Sequence, residues 1–175
     1  MRRGVACGVV ALYLLVLGVA LAGDKPASGD KATPNLETIK KLAGDWVEVD
    51  KDGKPTAKVV SSIRVTAGGS GVREILFPGS DHEMVSMYHQ EGSDLILTHY
   101  CILGNQPRMR AERGTASNKL VFKCVGGGNL KPEKDAHMGQ GTIVIVDDNH
   151  LHSEWVKCEE GKPCETHKFS LARKK

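Results

Sequence analysis

The sequence predicts an all-β fold, an antiparallel up-and-down β-barrel of about ten strands with one short helix before it. Three observations lead there. From Trp46 onward, runs of strand length rich in Val, Ile, Thr and aromatic residues recur at regular spacing. Clusters of Gly, Asp, Asn and Pro separate them, and no helical periodicity intervenes. A meander of that many strands exposes two edges unless it closes on itself, which favours a barrel over an open sandwich.

The elements follow in chain order. Arg2 and Arg3 precede an apolar run from Val5 to Leu21, which ends in small residues before Asp24-Lys25-Pro26. This is the pattern of a secretory signal, with cleavage after Ala22 or Gly23. A retained anchor is the other reading, because the run is nearly long enough to span a bilayer. The expected organisation is a signal peptide over 1–23, a polar, aperiodic flexible linker over 24–33 and one barrel domain over 34–175. Thr33-Pro34 offers a cap and a first helical position, and Leu36, Ile39 and Leu42 repeat at helical spacing until Gly44.

The expected strands are Asp45–Asp50, Lys58–Thr66, Val72–Phe77, Glu83–His89, Asp94–Cys101, Arg108–Arg113, Lys119–Val125, Gly141–Asp147, His150–Cys158 and Thr166–Ala172. Several alternate visibly. Leu120, Phe122 and Cys124 oppose Lys119, Val121 and Lys123, so one face is core and the other wet. Leu95, Leu97, His99 and Cys101 share a face, while Met109 and Ala111 oppose Arg108 and Arg110. Gly126-Gly127-Gly128-Asn129 reads as a loop, since it runs into Leu130-Lys131-Pro132 and not into a helix that would bind phosphate.

Charge excludes one function class. Of 24 Lys and Arg against 21 Asp and Glu, the signal carries two of the cations, which leaves a nearly neutral mature chain of one-domain size. A nucleic-acid binder needs a basic face. Export would place the protein in the periplasm or outside the cell, with no stable membrane span once the signal is cleaved. Cys101, Cys124, Cys158 and Cys164 then sit in an oxidising compartment. Cys158 and Cys164 bracket a turn-forming Glu-Glu-Gly-Lys-Pro stretch, so a disulfide across that hairpin is expected; Cys101 and Cys124 are either a second bridge or buried thiols.

Leu42-Ala43-Gly44-Asp45-Trp46, after a short helix and at the start of a meander, resembles the Gly-x-Trp opening of the calycin superfamily, the lipocalins and their relatives. Phe169-Ser170-Leu171-Ala172-Arg173 resembles that superfamily's last strand. The resemblance implies that Arg173 packs over Trp46 and locks the two ends together. Met87-Tyr88-His89 and the string from Thr98 to Met109 are similar to segments of uncharacterised lipocalin-like proteins exported by some bacteria. That likeness implies a fold and no reaction. The longer glycine-rich start of nitrobindin-type haem barrels is missing from the sequence.

The densest chemistry lies in Met87-Tyr88-His89 and His99-Tyr100-Cys101, on strands joined by the Gly92-Ser93 turn. His99 is expected opposite Met84 or Glu83. His99, Tyr100, Cys101, Asn105, Gln106, Arg108 and His89 are the candidate ligand-binding residues, or else polar residues satisfied within a mixed core. His150-x-His152 puts two imidazoles on one strand face but brings no third ligand, so no metal is assigned. No catalytic elbow, Walker loop or dinucleotide fingerprint occurs, and neither catalysis nor a cofactor is expected. The function expected is binding of a small hydrophobic or amphipathic molecule, in an aliphatic, Met-lined interior with few stacking platforms. The alternatives are a filled barrel acting as a structural or interaction module of the envelope, and a redox or catalytic use of His99 with Cys101.

Overall fold

The computed structural model describes residues 31–175; the expected signal peptide and most of the linker lie outside them. The chain forms β1 (Lys31–Ala32), α1 (Leu36–Lys40), β2 (Gly44–Val49), β3 (Pro55–Thr66), β4 (Gly71–Leu76), β5 (Met84–Glu91), β6 (Asp94–Tyr100), β7 (Gln106–Ala111), β8 (Thr115–Ala116), β9 (Lys119–Gly128), β10 (His137–Asp147), β11 (His150–Glu159) and β12 (Lys162–Arg173). All except β1 and β8, which pair with each other, form one closed barrel of ten antiparallel strands. Each expected strand is present. The barrel closes where β12 meets β2 and where β9 meets β10.

Closure at the first of these seams rests on two residues set opposite each other, Trp46 and Arg173. The guanidinium carbon lies 4.5 Å from the centroid of the fully buried indole. Arg173 Nη1 donates to Ala43 O at 2.6 Å and Nη2 to Lys41 O at 3.2 Å, so one cation also satisfies carbonyls left over at the end of α1. Trp46 Nε1 donates to Leu42 O at 2.9 Å.

Helix α1 plugs the same end. Its cap is Asn35, whose Oδ1 accepts Thr38 N at 3.0 Å, and not the expected Thr33-Pro34 pair. The Asn side chain reaches a free amide that Thr33, two residues earlier, would not. Leu36, Ile39 and Leu42 join the barrel core beside Trp46, Val72 and Tyr88. Gln90 Oε1 accepts Leu36 N at 3.1 Å and pins the helix to β5.

Glycines decide two close approaches. Gly127 lies within β9, paired with Pro107, so the glycine-rich stretch continues the strand and is not a loop. A Cβ there would strike the Gln106 carbonyl, which only glycine avoids. At Gly141 a Cβ would lie 2.9 Å from the Trp155 ring, so β10 leaves the space that the indole fills.

The four cysteines of the described residues are free thiols, which corrects the expected Cys158–Cys164 bridge. A bulge after Lys157 sets Cys158 opposite Pro163. Cys158 Sγ consequently lies against Gly139, while Cys164 Sγ is directed at Lys157 O, 3.5 Å away. Burial raises the Cys158 thiol pKa, and the nearby Cys164 and Cys124 raise it further.

Candidate functional site

The two ends of the barrel differ. At the plugged end side chains fill the interior and leave a void of only about 10 Å³ beside Leu42, Ser61, Glu74 and Leu171. At the other end, where β4 runs into β5 and β6 into β7, lies a cavity of about 880 Å³. Its walls are Leu76, Phe77, Met84, Met138, Trp155 and Phe169, with His99 from β6 and Cys101 just after it. Lys58, His82, Lys157, Glu165 and His167 contribute the polar part of the lining. Ile102 and Leu103 line it from the β6–β7 loop while remaining 53% and 44% exposed, so the entrance itself is apolar.

Alternation along β6 carries His99 inward. Leu95, Leu97, His99 and Cys101, expected on one face, are all buried. The partner of His99 differs from expectation: it is Ser86, not Met84 or Glu83. The tight turn pairs Glu91 with Asp94, and counting outward from that pair puts Ser86 opposite His99. Ser86 Oγ and His99 Nδ1 are 3.0 Å apart, and the imidazole lies against the Trp155 indole with ring centroids 5.2 Å apart. Nε2 is buried with no partner. Burial pushes the His99 pKa down to about 4, so the ring is neutral near pH 7.

Below this layer sits a second buried polar group. Glu74 accepts from Ser61 Oγ at 2.6 Å and from Tyr88 Oη at 2.5 Å, and Tyr88 packs edge-on against Phe122. Burial raises the Glu74 pKa against the pull of those two donors. Nothing in the sequence marked Glu74 as interior except its place between Val72 and Leu76 on one strand face.

The other candidates scatter. Cys101 shares the cavity with His99, and burial raises its thiol pKa. Tyr100 points outward and is 50% exposed. Arg108 faces out and pairs with Glu91, while His89 lies on the outer side, between Gly71 and Ile96. Gln106 donates to Gly104 O at 3.3 Å and accepts from Asn129. Asn105 is buried but turned away from the cavity, donating to Ala136 O at 2.8 Å and so tying two loops of the mouth together. His150 pairs with Asp147 and His152 with Ser170; among the described residues no three potential metal ligands converge.

The cavity wall also departs from the aliphatic lining expected from a chain with only 5% aromatic residues. Phe77, Trp155 and Phe169 gather there, with Phe77 and Phe169 edge-to-face at 5.7 Å. A comparison with protein-family models and with curated proteins finds no match to this chain. The fold accords with the calycin resemblance; the lipocalin likeness remains one of motif.

Proposed function

We propose that the protein is an exported, non-catalytic binder of one small hydrophobic or amphipathic molecule, held in the open half of the barrel. The observation that carries this reading is the cavity of about 880 Å³, within the size range of small-molecule sites and walled mainly by apolar side chains. A barrel whose interior were filled throughout, as a purely structural module requires, would lack that space. Met84 and Met138 give the wall the adaptability that suits a flexible ligand. Catalysis by His99 with Cys101 finds no support in the geometry. The imidazole bonds to Ser86 instead of the thiol, and burial keeps His99 and Cys101 both uncharged near neutrality.

The test is titration of the purified protein with a medium-chain fatty acid and with an environment-sensitive apolar dye, beside Met84→Trp, which narrows the cavity. Saturable one-to-one binding that Met84→Trp weakens, with an unchanged circular dichroism spectrum, is the expected result. Absence of saturable binding by the native protein to either probe overturns the reading.

A further inference from the structure

Ser86 and His99 allow a narrower statement about what enters the cavity; it rests on the proposed binding function. The Ser86 hydroxyl is fully buried, and His99 Nδ1 is its hydrogen-bond partner among the described residues. A buried hydroxyl proton needs an acceptor. Were Nδ1 protonated, it would donate to Ser86 Oγ and leave the serine proton with none. Donation from Ser86 to the Nδ1 lone pair satisfies the serine and places the imidazole proton on Nε2. That N–H is the orphan: His99 is 1% exposed, lines the cavity floor and has no acceptor for Nε2.

We infer that the Ser86–His99 pair makes the cavity floor a hydrogen-bond donor site, selecting ligands whose buried end is an uncharged acceptor such as a ketone or ester carbonyl oxygen on an apolar body. Charge at that end is disfavoured. The His99 ring stays neutral, and a buried carboxylate would receive one hydrogen bond against a large desolvation cost. Charge belongs at the mouth, where Lys157 lines the cavity beside Glu165 and Lys58 is paired with Glu48 at 2.9 Å; a free anionic group on the same molecule would face Lys157. Nε2 has almost no accessible surface, so the acceptor reaches it by moving a neighbouring side chain. Met84 and Met138, the flexible residues of the wall, can yield at low cost.

Two measurements test this on the full mature protein. The first is the imidazole 15N–1H spectrum of the ligand-free protein at neutral pH. The Nε2–H tautomer at His99 is expected, and an Nδ1–H tautomer overturns the inference. The second compares the affinities of a medium-chain methyl ketone and the alkane of matched length, read from Trp fluorescence. The ketone is expected to bind about tenfold more tightly, the ratio supplied by one net hydrogen bond. His99→Phe should remove that preference while leaving alkane binding in place. If His99→Phe does not fold, Ser86→Ala takes its place: it frees the tautomer and should shrink the preference. Equal affinities for ketone and alkane in the native protein overturn the inference and leave the binding function standing, whereas failure of both probes to bind overturns both.

Discussion

At Glu74 the barrel holds a carboxyl group between two hydroxyl donors, with no cation among its hydrogen-bond or ion-pair partners in the described residues. Its folded pKa lies above the ordinary 4.5, so the stability that this group contributes is complete below that pH and declines as pH rises through the folded value. His99 works in the opposite sense. Its pKa falls from 6.5 to about 4, so its contribution is complete above pH 6.5 and is lost as pH falls toward 4, by ~3 kcal/mol in total. Urea unfolding across this range should therefore show two opposed slopes, separable by mutation. Glu74→Gln is expected to unfold at a urea midpoint no lower than the native protein at pH 8 and to lose the decline on the alkaline side; a lower midpoint at pH 8 would contradict the account. His99→Gln should flatten the acid limb and leave the alkaline one.

The sequence set His99 on one strand face with Leu95 and Leu97, because alternation is a property of one strand, but did not mark that face as the inner one. It disclosed the partner less well. Register depends on where the turn sits, yet the information was present: Glu91 and Asp94 flank Gly92-Ser93, and that pairing leads to Ser86. Asn105 and Gln106 defeated sequence reasoning for another reason. They sit in or beside a loop, where no periodicity assigns a side chain to the cavity or away from it.

Among elements, the strands were legible and their mouth-side ends were not. β3, β10 and β12 begin at Pro55, His137 and Lys162, each earlier than alternation indicated. In β10 and β12 the extensions carry bulges, at Met138/Gln140 and opposite Lys157/Cys158, and a bulge breaks the period-two pattern by inserting a residue. Helix α1 is too short to be stable alone and persists through its cap and its buried face. Asn35→Ala should cost about 1 kcal/mol in chemical denaturation. The seam between β12 and β2 depends more heavily on one side chain. Arg173→Ala removes the ring contact and the bonds to Ala43 and Lys41, and a loss of about 2 kcal/mol is expected. Hydrogen exchange in β2 and β12 should rise with it, while β5 and β6 stay protected.

On the scale of the whole molecule, composition indicated the class of fold but misjudged the wall of the cavity. Average aromatic content says nothing about where aromatic residues gather, and three of them meet at the open end. Asn105 bridges the 101–105 and 129–136 loops through one side-chain bond to Ala136 O, while the Cys101 amide donates to Asn105 O within the first loop. Asn105→Ala should lower stability by about 1–3 kcal/mol. In stopped-flow displacement it should also speed release of a bound apolar dye; unchanged release rates would show that these loops do not control the entrance.

The plug, Lys31 at the start of the described residues and Arg173 near their end occupy the same pole of the barrel. β1 pairs with β8 beside the start of β9, and Arg173 seals the opposite seam against α1. The cavity opens at the far pole. Among the described residues the cavity is reached from this pole, so a molecule inside arrives and departs on the side away from the plug. Anchoring the protein to a surface through either described terminus would hold it like a cup by its base, with the rim turned toward the solution.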